Sequence, residues 1–381
     1  MTALPEALAA ATEQQPAARV ALAAALANPS HAYLFTGPAG AGKRAAARAF
    51  VAELLSVGAP DPESARRRAF ADPSPHPDLA WLRPPGAQHL VDEVRQRVIE
   101  AAPYRPFEGE RRAFVIEQAD AMAEESQNAL LKTLEEPPRF AHLVLISSQP
   151  SVLLDTVRSR CQVIGFAALG PDAIEERLAK GGAAVDPLEL RAAARLAGGD
   201  LERAELLIAD RGRELRARSE DLARAARASE LDDAPWKGLL DVAELRGAEV
   251  GEAVKARLDA VADQAREAAD KRTEQRLRRE ATEAGQRASR RGRTEALDTG
   301  LALVGAWLRD LAAVGDGAPE LILTADRERE LRDDAAGLDP RRARRGAELV
   351  MDTRRRLMVN VSEELGLEAL AFRLEFVLKA T

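Results

Sequence analysis

The apolar positions along this chain alternate between two periods, and the changes between them outline the fold. Residues 17–27 repeat at helical spacing, and His31-Ala-Tyr-Leu-Phe-Thr36 is then apolar for a strand's length before it meets Gly37-Pro38. From 44 to 57 the helical period returns, with Ala47, Phe50, Val51, Leu54 and Leu55 on one face. The stretch 58–77 is rich in Pro, Asp, Ser and Arg and reads as an insertion or loop. A second strand follows at 79–82, and a helix at 90–101 with Val91, Val94, Val98 and Ile99 on one side. The segments 112–116, 126–134 and 142–147 read as strand, helix and strand. Short, continuously apolar strands separated by helices predict a parallel sheet covered on both faces, an α/β core that ends near Phe166.

After Phe166 the strand-like runs give way to Ala, Leu, Arg and Glu at helical spacing. Three short helices are predicted at 171–180, 187–196 and 201–210, and longer ones from 211 onwards, with breaks at 315–319 and 337–340. The expected division is a core at 1–167, a small helical lid at 168–212 and an all-α carboxy-terminal domain at 213–381. Leu297, Leu301, Val304, Trp307, Leu308 and Leu311 form the apolar stripe of a bundle helix, and Trp236 and Trp307 read as core anchors.

Composition narrows this picture in three ways. At 381 residues the chain exceeds one core, given a prior of about one domain per 150 residues. With 46% hydrophobic, 31% charged and only 4% aromatic residues it fits a helix-rich globular protein, and a net charge of -7 excludes a uniformly basic nucleic-acid-binding surface. The run 271–293 is locally basic but interleaved with Glu and lacks aromatics; it reads as a solvated helix, with contact to a nucleic-acid backbone as the alternative. Cys161 is the single cysteine, so neither an intrachain disulfide nor a thiolate-dominated zinc site is possible. The first residues lack a basic stretch and are interrupted by Glu13, Gln14, Gln15 and Pro16, and no apolar run reaches the roughly 20 residues of a membrane span, so a cytoplasmic location is expected.

Candidate chemistry begins at Gly37-Pro-Ala-Gly40-Ala-Gly42-Lys43-Arg44, a match to G-x-x-x-x-G-K between a strand and a helix. Glycines there let backbone N–H groups face phosphate oxygens, and Lys43 adds a point charge. The pattern calls next for a Ser or Thr hydroxyl that ligates magnesium, and Arg44 stands in its place. At the end of the third strand, where an acidic pair would hold metal and activate water, the chain has Glu117 and Gln118, and an amide is no general base. Nucleotide bound here is expected to be hydrolysed weakly or not at all.

The run 128–138, Asn-Ala-Leu-Leu-Lys-Thr-Leu-Glu-Glu-Pro-Pro, together with Ser159-Arg160-Cys161 after the fourth strand, resembles the bacterial DNA polymerase III clamp-loader subunits of the AAA+ superfamily. The resemblance covers about residues 17–210 and rests beyond that on length and helical character. It implies that Arg160 is an arginine finger acting in trans on a neighbour's ATP, positioned by Ser159 and Cys161, and that Ser147 or Ser148 lies at the sensor-1 position. An intact Ser-Arg-Cys beside a degenerate nucleotide site is similar to the delta-prime type, a non-motor member; an active gamma/tau-like motor is the alternative, and a DNA-binding scaffold acting through 271–293 a third. Implied partners are motor and delta subunits in a hetero-pentameric ring, and through it the sliding clamp and primer-template DNA, with 213–381 as the collar. The family's four zinc-binding cysteines are missing although His76-Pro77-Asp78 is retained, so no zinc is expected, and the insertion before it should hold its shape by packing alone.

Overall fold

The computed structural model describes residues 4–72, 74–84, 88–181, 185–265, 271–357 and 362–379. The chain divides after Leu169 into two compact units.

In the first unit five parallel strands, β1 (Ala32–Thr36), β2 (Leu79–Leu82), β3 (Arg112–Ile116), β4 (Ala141–Ser147) and β5 (Gln162–Gly165), form one sheet in the order β2-β3-β4-β1-β5. The helices are α1 (Glu6–Ala11), α2 (Pro16–Ala27), α3 (Lys43–Ser56), α4 (Pro62–Phe70), α5 (Val91–Val94), α6 (Glu124–Glu135) and α7 (Asp155–Arg158). Because side chains alternate across a strand, neighbouring residues enter different cores. Tyr33, Phe35, Val115 and Val144 pack with Phe50 and Leu54 of α3, and the Tyr33 and Phe50 rings meet edge to face with centroids 4.9 Å apart. Leu34, Phe114, Ile116, Leu143 and Leu145 pack on the other face with Val94, Val98, Leu130 and Leu134. Truncating a ring as enclosed as Phe50 typically costs about 3–5 kcal/mol.

The sequence reading needs correction in the insertion. Within 58–77 lies α4, capped by the Asp61 carboxylate, which accepts from the Ser64 amide at 3.0 Å. Its buried residues are Ala65 and Ala69, too small an apolar stripe to show as periodicity. Nor is the segment held by packing alone: Arg68 pairs with Glu108, the second contact at 2.7 Å, and Arg66 with Glu53 at 3.0 Å. The helix predicted at 90–101 exists as α5 followed by a wider π-type turn over Arg95–Ile99, with Val94 and Val98 buried. The short β5 had no signal of its own, since only Ile164 of its four residues is buried.

The second unit is helical: α8 (Pro171–Lys180), α9 (Pro187–Leu196), α10 (Leu201–Ile208), α11 (Asp210–Ala228), α12 (Trp236–Ala265), α13 (Lys271–Gly315), α14 (Glu328–Ala335), α15 (Pro340–Leu357) and α16 (Glu363–Leu378). Long helices α12 and α13 approach closely through small residues: a Cβ on Gly251 would meet the Ser289 Cβ at 2.7 Å and the Gly285 carbonyl oxygen at 2.8 Å. Trp307 and Trp236 are buried. Asp310, fully buried on α13, accepts from the Leu323 amide at 3.0 Å, the Thr324 amide at 2.8 Å and the Thr324 hydroxyl at 2.6 Å, tying the following segment to the helix. Burial pushes its pKa up against those bonds. Among the described residues, no helix is long and apolar enough to cross a membrane.

Candidate functional site

The carboxyl ends of β1, β2, β3 and β4 gather one set of residues. Gly37, Gly40 and Gly42 have φ of 142°, 67° and 84°, the left-handed region that favours glycine. Gly37 is also confined by its neighbours, since a Cβ there would lie 2.2 Å from the Phe166 carbonyl oxygen. The loop delivers Lys43 to the first position of α3, where its ammonium donates to the Gly37 carbonyl at 2.7 Å, to the Pro38 carbonyl, and to the Ser148 hydroxyl at 3.3 Å. Of the two sensor-region serines, Ser148 therefore reaches the lysine. The Ser147 hydroxyl turns instead to accept from the Gln149 amide at 3.1 Å. The Gln15 side chain braces the loop from below, donating to the Ala41 carbonyl at 3.1 Å and the Ala167 carbonyl at 2.8 Å.

Around the position expected to hold metal the structure places cations of its own. The Arg44 guanidinium lies 3.1 Å from Glu117 Oε1 and 2.6 Å from Asp72 Oδ2. Arg83 bridges the same two carboxylates at 2.9 and 2.7 Å, Arg48 pairs with Asp72 at 3.0 Å, and the Trp81 indole N–H donates to Glu117 at 2.5 Å. Arg48 also lies over the Trp81 ring, 4.5 Å from its centroid. Burial raises the Asp72 pKa, but the bond and charge of Arg83, with Arg48 and Arg44, outweigh it and leave the pKa below the ordinary value. Burial lowers the Arg48 pKa, and the nearby charges of Arg83 and Arg44 add to the fall. Magnesium does not fit this donor set: position 44 has no hydroxyl, and Glu117 Oε1 already takes three N–H donors. Gln118 is exposed, with its backbone at φ 49°, a conformation uncommon outside glycine, before the short turn Ala119–Ala121.

The Ser159-Arg160-Cys161 turn lies elsewhere. It enters β5, whose Gln162 pairs with Tyr33 near the start of β1, so it sits at the amino edge of the sheet. From there to Lys43 is at least the length of a strand, about 13 Å. Arg160 is partly exposed; its Nη2 lies 2.6 Å from Glu135 and its Nη1 donates to the Thr156 carbonyl at 2.9 Å. The Ser159 hydroxyl donates to the same carbonyl at 3.3 Å. Cys161 packs, partly buried, against the core, and burial pushes its thiol pKa up to about 12, so it acts as a small apolar anchor.

Sequence reasoning missed Asp72, Arg48, Arg83, Trp81 and Glu135. It also left His76-Pro77-Asp78 without a role. The Asp78 carboxylate accepts from the Phe107 amide at 2.8 Å and the Glu108 amide at 3.0 Å, and the Asp78 amide donates to His76 Nδ1 at 3.1 Å, so the motif shapes the loop before β3. Along the predicted basic run, Arg276, Arg279 and Arg287 each face a glutamate one helical turn away, at 3.9, 3.1 and 3.8 Å.

Comparison with known proteins bears on the first unit. The family described as DNA polymerase III, delta subunit, matches residues 14–170. DNA polymerase III subunit delta' of Bacillus subtilis is 40% identical over 151 residues, 39% of this chain and 46% of that protein. The protein of the same name from Pseudomonas aeruginosa is 42% identical over 142 residues, 35% of this chain and 42% of that protein. DNA polymerase III subunit tau of B. subtilis is 31% identical over 153 residues, 40% of this chain and 27% of that protein. The chain thus spans less than half the length of each of these relatives. With the strand order and the phosphate-loop geometry, these matches show that residues 14–170 are similar to the corresponding region of bacterial DNA polymerase III delta' and tau subunits.

Proposed function

We propose that this chain is a delta-prime-type, non-motor member of a DNA polymerase III clamp loader, working in the cytoplasm and contributing Arg160 to ATP held by an adjacent subunit. The observation that carries the reading is the placement of two arginines. Arg160 lies at the sheet edge opposite its own phosphate loop, too far to serve it, whereas Arg44 is bonded to the very carboxylate a motor would use for metal. A planar guanidinium presented at a surface can stabilise charge on a transferring phosphoryl group in another molecule. Residues 168–212 would act as a lid and 213–381 as the collar of a hetero-pentameric ring that opens the sliding clamp at primer-template DNA.

A motor role is the second reading, favoured by the match to subunit tau and by the retained Lys43 and left-handed glycines. Steady-state ATP hydrolysis by the isolated chain separates the two. The delta-prime reading expects no magnesium-dependent turnover above background; robust turnover that Lys43→Ala removes would establish the motor.

A further inference from the structure

Glu135 ends α6, and two prolines follow Glu136, so the helix cannot extend and the carboxylate's place is fixed. A carboxylate in a last helical turn sits against the negative end of the helix dipole and is unfavourable there unless a cation answers it. Arg160 does so at 2.6 Å. The two belong to elements that are themselves joined: Gln127 of α6 accepts from the Leu154 amide at 2.8 Å ahead of α7, while its amide donates to the Met122 carbonyl at 3.1 Å. Leu130, Leu134, Val157 and Cys161 share one core cluster beneath.

The guanidinium is thus gripped on two sides, by Glu135 at Nη2 and by the Thr156 carbonyl at Nη1. Arginine has five N–H donors in a fixed fork, so these two bonds leave further donors to turn towards a partner. An ion pair this exposed contributes little to stability. Its larger effect is to restrict the rotamers of a long side chain before a phosphoryl group arrives.

We infer that Glu135 is the positioning residue of the Arg160 finger. The inference rests on the trans-acting role proposed for Arg160. Glu135 touches no substrate; it sets the plane and reach of the group that does, and so affects the chemical step in the neighbouring subunit more than that subunit's affinity for ATP.

The test is a loader reconstituted with tau/gamma-type and delta subunits, assayed with wild-type, Glu135→Ala, Glu135→Gln and Arg160→Ala chains. Glu135→Ala should lower the ring's kcat about 10-fold while leaving the KM for ATP, the melting temperature of the isolated chain and ring assembly unchanged. Glu135→Gln, which keeps an acceptor oxygen, should recover part of the loss. If Arg160→Ala abolishes hydrolysis but Glu135→Ala has the wild-type kcat or a higher one, Glu135 does not position the finger, although the finger stands. If Arg160→Ala itself hydrolyses ATP normally, it is the trans-acting role that fails.

Discussion

The two edges of the sheet in the first unit use arginine in opposite ways. At the carboxyl edge Arg44, Arg48 and Arg83 converge on Asp72 and Glu117, and each charge is answered from within the chain. At the amino edge Arg160 has one carboxylate and one carbonyl and remains partly exposed. Guanidinium groups that share two carboxylates are structural cations, whereas one held by a single carboxylate and a carbonyl keeps N–H donors that can bind an anion from outside. At the first edge Lys43 and the left-handed glycines shape a phosphate loop beside a donor set that does not suit magnesium.

Substitutions at the two edges should differ in both size and kind of effect. The largest effect is expected at the amino edge: Arg160→Lys keeps the charge but loses the planar fork, and should lower hydrolysis by the reconstituted ring about 100-fold or more in a single-turnover assay. At the carboxyl edge the effect should appear as stability. Asp72→Ala leaves three guanidinium groups around Glu117 alone and should destabilise the isolated chain by about 2 kcal/mol, less than for a fully buried pair because Asp72 is partly exposed, as read from its urea midpoint. The same carboxylate sets a pH dependence. Its pKa is depressed in the fold, so its contribution is complete above the ordinary carboxylate pKa of about 4 and is lost as pH falls through the lower folded value. Asp72→Asn should remove that part of the acid sensitivity, and equal slopes of stability against pH for the two proteins would show that the cluster is not the cause. The smallest effect is at Cys161. With a pKa of about 12 only about one part in 10⁴ is thiolate at pH 8, so the folded chain should react with a thiol reagent only after unfolding.

Much of this organisation was legible in the sequence, for physical reasons. Strands β1, β3 and β4 announced themselves because they are buried on both faces and therefore continuously apolar, and the phosphate loop because its glycines are demanded by backbone conformation. The cluster around Glu117 was not legible. Its members, at positions 44, 48, 72, 81, 83 and 117, come from four separate segments, and a charged residue that will be paired looks in sequence like one that will be solvated. Helix α4 was hidden for a related reason: its core contribution is two alanines, and its other ties include the ion pairs of Arg66 and Arg68. Glu135 lay in plain view within 128–138, but its partner is 25 positions away across the β4 strand and α7.

Under the proposed role the amino edge of this chain, and not its phosphate-loop edge, serves the ring's ATP hydrolysis, and one paired measurement tests this. Rings assembled with Arg160→Ala and with Lys43→Ala would be compared for single-turnover hydrolysis under identical conditions. Hydrolysis should fall about 10³-fold or more with Arg160→Ala and stay within about twofold of wild type with Lys43→Ala. A large loss with Lys43→Ala beside normal hydrolysis with Arg160→Ala would contradict the proposed role.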